Sequence, residues 1–201
     1  MNALQLSEII ERSFSQSYSY KEFRDLMDDL LTRNQSTAKV QEESLTEYSK
    51  MNQRRMKRWE KTLKISEEAA SKIKAYKGKL IWLVITESWC GDAAHSMPVM
   101  NKLAELNSDI EIKVVLRDEH EELMNQFLTN GGKSIPKLVM YQPETKKVIA
   151  EWGPRPTTAT QMVEAYKTKH GKLDAEFKEE LQRWYNKDKG QTTIKNILAL
   201  L

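Results

Sequence analysis

A single cysteine, Cys90, stands among 201 residues, so no intrachain disulfide can form. That usage fits a reducing compartment, and a cytoplasmic location is expected. Glycine and proline are scarce, at seven and five, which excludes long flexible or proline-rich linkers. No apolar run approaches the roughly 20 residues of a membrane span, so no membrane partner is expected. The opening Met1-Asn2-Ala3-Leu4-Gln5-Leu6-Ser7 has neither the basic nor the apolar region of a secretory signal. Charge is nearly balanced at +3, too mild to name a partner or to call for nucleic acid. No phosphate loop, hydrolase elbow, dinucleotide fingerprint or internal repeat is present, and no cofactor is expected. What remains is an ordinary globular composition, 39% hydrophobic and 30% charged, long enough for one embellished domain or two small ones.

Two textures divide the chain. The first ~76 residues read as helices. Phe23, Leu26, Met27, Leu30 and Leu31 lie at helical spacing behind a Ser19/Glu22 capping box. After the polar break Asn34-Gln35-Ser36-Thr37, a long helix carries Leu45, Tyr48, Met56, Trp59 and Leu63 on one side. Seven cations line its other side: Lys50, Arg54, Arg55, Lys57, Arg58, Lys61 and Lys64. That face reads either as a solvated surface, neutralised by acids such as Glu119, Glu121 and Glu122, or as a site for an acidic partner. Ser66 caps a further short helix to about Tyr76.

From Lys77 onward strands and helices alternate. Leu80–Thr86 is a continuous apolar strand, as in a sheet covered on both faces. A helix interrupted by Pro98 follows to Leu106, then a strand over Ile110–Leu116 and a helix over Asp118–Thr129. Lys137–Tyr141 and Lys146–Trp152 form a hairpin about Gln142–Thr145, and a helix runs from Thr157 to the stop at His170-Gly171. Leu173, Phe177, Leu181 and Trp184 mark one more helical stripe, before a short segment with Ile194, Ile197, Leu198 and Leu201. The order β-α-β-α-β-β-α implies a mixed sheet. Strands separated by helices are expected to run parallel, and the hairpin antiparallel.

The first core strand ends in Trp89-Cys90-Gly91, directly before a helix. This turn resembles the active-site turn of the thioredoxin family. Pro98, eight residues beyond the cysteine, resembles that family's helix-kinking proline, and Ser134-Ile135-Pro136 its cis-proline step. The resemblance spans about residues 78–170 and implies an α/β, thioredoxin-like fold with a mixed central sheet flanked by helices. It further resembles bacterial thioredoxin family proteins that keep one cysteine in a Trp-Cys-Gly-Asp-Ala motif. Residues 1–77 would then be an N-terminal helical extension packed on the core, and 171–201 a C-terminal one. Two departures stand out: Ala93 replaces the resolving cysteine, and Val84 the buried acid six residues before Cys90. A dithiol reductase cycle is excluded by stoichiometry.

Cys90 reads as a nucleophile activated by a helix N-terminus, or as a small apolar filler. Glu87 and Asp92 would oppose its ionisation. Asp92 also reads as a favourable first-turn acid. His95 is either an acid/base partner of Cys90 or a surface histidine, and three ligand types within one turn do not converge on a metal. By resemblance, Ile135 and Pro136 offer an extended edge to a substrate beside Trp89, Gly91 and Asp92. Arg117, after the second strand, reads as an anion-binding auxiliary or as part of a helix-start charge cluster. Two functions follow. One is monothiol redox chemistry, with mixed disulfides to a protein or low-molecular-weight thiol; the other is a non-catalytic binding module.

Overall fold

The computed structural model describes residues 3–201; Met1 and Asn2, part of the stretch read for a secretory signal, lie outside the described residues. A four-stranded sheet in the order β2-β1-β3-β4 forms the centre. Strand β1 (Leu80–Thr86) is buried along its whole length. It pairs in parallel with β2 (Ile110–Leu116), Leu80 against Ile110 through Thr86 against Leu116. Strand β3 (Lys137–Gln142) runs antiparallel to β1, Val84 opposite Leu138, and β4 (Lys147–Trp152) antiparallel to β3.

The antiparallel β1/β3 pair corrects the expectation that strands separated by helices run parallel. The connection's helix, α6, spans only Glu121–Met124 and not Asp118–Thr129. One turn rises about 6 Å, whereas a seven-residue strand is about 23 Å long. This helix does not carry the chain back to the far end of the sheet. The chain turns at Thr129–Gly132 and enters β3 from the end where β2 stopped.

Helices α1 (Ala3–Ser13), α2 (Tyr20–Thr32), α3 (Glu43–Thr62) and α4 (Glu67–Ala75) precede the sheet, and α5 (Gly91–Ala104) follows β1. The Ser19/Glu22 capping box and the Ser66 cap form as read. After the sheet come α7 (Thr157–His170), α8 (Ala175–Asp188) and α9 (Gln191–Leu198). One core joins the sheet to Ile10, Phe23, Met27, Met56, Ile73, Met97 and Ile197. A second, separate cluster lies between α7 and α8: Ala159, Val163, Phe177, Leu181 and Tyr185. The outer edge of β2 is not open, because Tyr18 exchanges both backbone hydrogen bonds with Val114, at 2.8 and 2.7 Å.

The buried face of α3 departs from expectation. Met56, Trp59 and Leu63 are buried as read, but Tyr48 is 42% exposed. The inward positions of the N-terminal half are polar: Thr46, Ser49 and Asn52. Such residues stay inside only with partners, and Ser49 and Asn52 meet Ser88 on the loop that leads to Cys90.

Candidate functional site

Strand β1 delivers Glu87, Ser88 and Trp89 to the C-terminal edge of the sheet, and Cys90 stands as the N-cap of α5. The Cys90 side chain is buried, and its thiol donates a hydrogen bond of 3.2 Å to the Ile135 carbonyl. The Ile135–Pro136 peptide is cis. Burial, seconded by the Asp92 charge, pushes the thiol up to about 12; the backbone N–H groups of Ala93 and Asp92 and the Arg155 guanidinium act the other way. Cys90 is thus a neutral thiol at neutral pH.

Asp92 accepts a hydrogen bond of 2.8 Å from the Tyr185 hydroxyl and an ion pair of 2.6 Å from Arg155. Burial nonetheless leaves its carboxyl above the usual range, with Arg155 and Tyr185 pulling it down. His95 is neither on the surface nor bonded to Cys90. It is 3% exposed, Trp59 Nε1 donates to its Nδ1 at 2.9 Å, and its Nε2 lies 2.7 Å from Gln182 Oε1. Indole N–H can only donate, so Nδ1 is the acceptor and Nε2 carries the proton. The ring stacks on Tyr185 with centroids 4.2 Å apart. Burial, with the Arg55 and Arg58 charges, lowers its pKa to about 4 against the Gln182 hydrogen bond. That environment suits a neutral structural imidazole. The opposite would be needed of an acid/base group working near pH 7.

Arg117 does approach the Cys90 turn. Its guanidinium lies over the Trp89 ring at 4.8 Å while its Nε bonds Asp118 at 2.8 Å. A groove of about 390 Å³ passes Trp89, lined also by Val40, Leu45, Arg117 and Lys133. Gly91 faces Arg55, whose guanidinium would stand 3.8 Å from a Cβ there. The acids expected to neutralise the basic helix do not reach it: Glu122 pairs with Arg12 and Glu121 with Lys133.

A second buried polar cluster escaped the sequence reading. Glu87 is 1% exposed; the Thr37 hydroxyl and the Asp118 N–H, the latter at 3.0 Å, donate to its carboxylate. Ser88 bonds Ser49 at 2.7 Å and receives the Thr37 N–H at 3.0 Å, and Asn52 donates to the Ser88 carbonyl at 2.9 Å. Burial raises the Glu87 pKa to about 7, against the donors Thr37 and Asp118. The available signal was the spacing Ser49, Asn52, Met56, Trp59, Leu63, which is one helical face whatever its hydrophobicity.

Gly153 closes the site from below. Its φ is +124°, and a Cβ there would stand 2.1 Å from the Pro136 carbonyl oxygen. Gly153→Ala must therefore move the Ile135–Pro136 segment. A loss of about 2 kcal/mol is expected by urea denaturation, and an unchanged midpoint would contradict so close an approach.

Comparison with known proteins agrees with this architecture. No curated protein matches the chain. A protein of unknown function from Pseudomonas aeruginosa, solved at 1.5 Å, is 14% identical, with a TM-score of 0.58 over 91% of this chain and 96% of its own. An HIV epitope-scaffold is also 14% identical, with a TM-score of 0.56 over 91% and 97%. At such identity the likeness extends to the fold. The family model described as Thioredoxin matches residues 38–167, taking in α3 and α4 as well as the sheet. No described helix is long and apolar enough to cross a membrane. On that match, over well more than half its length, the chain belongs to the thioredoxin family.

Proposed function

We propose that the protein performs monothiol thiol–disulfide exchange at Cys90. The observation that carries this reading is the 3.2 Å contact between Cys90 Sγ and the Ile135 carbonyl. It puts the sulfur beside the backbone of the Ile135–Pro136 segment just before β3, where we infer that a disulfide-bearing segment pairs as a strand. Trp89, held by Arg117, flanks the approach, and Gly91 and Asp92 open the helix whose first N–H groups favour the thiolate.

In the first step the Cys90 thiolate attacks one sulfur of a disulfide R–S–S–R′. The Cys90–S–S–R bond forms, the substrate S–S bond breaks, and R′S⁻ leaves to take a proton from water. Ala93 supplies no second thiol, so an external thiol R″SH must attack the mixed disulfide. Cys90 is then returned as the thiol and R–S–S–R″ is released, with no net oxidation of the protein. Oxidised glutathione serves as a probe, read by intact mass. An adduct is expected in the wild type, increasing with pH up to about 9 without levelling, and none in Cys90→Ser. Absence of an adduct at every pH where the fold persists would refute the reading.

The thiol pushed up to about 12 favours a second reading, a binding module without redox turnover. Its partner surface would be the basic face of α3, where Arg54, Lys57 and Lys61 are exposed and make no ion pair among the described residues, with Lys64 just beyond the helix end at Thr62. An acidic protein fits such a face. Salt-sensitive binding of an acidic peptide, lost in a Lys57→Glu/Lys61→Glu variant, would support it.

A further inference from the structure

We propose that the α7–α8 hairpin is a hinged cover over Cys90, closed by a polar seam and separable from the core as a unit. Its apolar residues face one another: Val163, Phe177, Leu181 and Tyr185 form their own cluster, apart from the core that holds the sheet. What joins α8 to the body is of another kind. Tyr185 donates to Asp92, Gln182 bonds His95, Asn186 bonds Arg58, and the Tyr185 ring stacks on His95. Swinging the hairpin outward keeps the contacts among Ala159, Val163, Phe177 and Leu181 and, of this cluster, uncovers the Tyr185 ring face that rests on His95. It exchanges the seam's hydrogen bonds for bonds to water, a far smaller loss than exposing a core.

The chain is pinned on either side of this unit. Before it, Gly153 packs on the Pro136 carbonyl. After it, Lys189 and Gly190 both adopt positive φ, and a Cβ on Gly190 would stand 2.8 Å from Val99. The bond from the Thr157 N–H to Asn196 lies at the pivot, not at the moving end. The Tyr185 hydroxyl bonds Asp92 in the first turn of α5, the helix that Cys90 caps, so opening uncovers that end of the helix. Water then reaches the sulfur, removing the largest cause of its unfavourable ionisation.

The cover supplies regulation to the monothiol reading and in that respect rests on it; its closing test does not. Cys90 has no competing thiol, so iodoacetamide alkylation of the full chain reports one site. Rates at pH 8 are compared for wild type, Tyr185→Phe, Gln182→Ala, the double variant and the milder Arg58→Ala, each with its thermal unfolding midpoint. The expected result is an increase of about tenfold in the double variant with the fold retained, and smaller increases in the single variants. Rates equal to wild type overturn the proposal. So does acceleration confined to variants that have lost their folded signal, with Arg58→Ala unchanged. Faster alkylation without a glutathione adduct in any variant would leave the cover standing and remove the monothiol reading. An adduct forming equally fast in all of them would do the reverse.

Discussion

Glu87→Gln is expected to remove the unfavourable contribution that Glu87 makes to stability as pH rises from about 4.5 to 7. Glu87 binds its proton more tightly when folded, at about 7 against 4.5. Its contribution is therefore complete below pH 4.5 and is lost as pH climbs through 7, because above that the fold must bury a carboxylate. A gap of this size corresponds to about 3 kcal/mol. Glutamine can keep the Asp118 N–H bond with its oxygen and offer its NH₂ to the Thr37 hydroxyl. Urea denaturation at several pH values should show the variant gaining on the wild type from pH 5 to 7 and holding a constant lead above. A difference independent of pH would eliminate Glu87 as the source.

His95→Asn should uncover the opposite slope. The folded protein holds this imidazole neutral down to about 4, whereas the unfolded chain protonates it near 6.5. That contribution is complete above pH 6.5 and disappears as pH falls toward 4, again by about 3 kcal/mol. Between pH 4.5 and 6.5 the two groups pull against each other, and the wild-type profile is expected to be nearly flat. Asparagine keeps an acceptor for Trp59 Nε1 and cannot titrate. The variant starts lower, having lost the stack on Tyr185, but it should become more stable as pH falls through that window. A flat profile in His95→Asn would show that Glu87 and His95 do not account for the balance; the double variant should be flat for the simpler reason that neither group titrates.

The parts of this molecule visible in sequence are those governed by neighbours in sequence. The apolar runs at Leu80–Thr86 and Ile110–Leu116 coincide with their strands, and Ser19 and Ser66 cap the helices they precede. The Cys90 turn and the Ile135–Pro136 step are short motifs, so each could be noticed alone. The environment that sets their chemistry was not legible, because it comes from distant segments. Tyr185 and Gln182 reach Asp92 and His95 from α8, Arg155 from the loop before α7, and Thr37 reaches Glu87 from a polar break that looked like a simple connector. Hydrophobicity also misdirected the reading of α3: Tyr48 counted as inward, and Ser49 and Asn52 were passed over. Satisfied hydrogen bonds to Ser88 keep Ser49 and Asn52 inside. The direction of β3 went unread together with the bounds of α6, the kind of boundary that periodicity locates least well.

The bridge between Tyr18 and Val114 also has a consequence for biosynthesis. At about 5–20 residues per second, a ribosome makes Val114 roughly 5–20 s after Tyr18. During that interval α2 and α3 can already join through the Arg24–Glu60 pair and the Gln53–Asp28 bond. Tyr18 has no strand to meet, and Phe23 and Met27 have no sheet to cover them. The nascent chain thus exposes an apolar helical face for seconds. That interval is an opening for holding chaperones, and it ends only when β2 emerges and Tyr18 closes the sheet's edge.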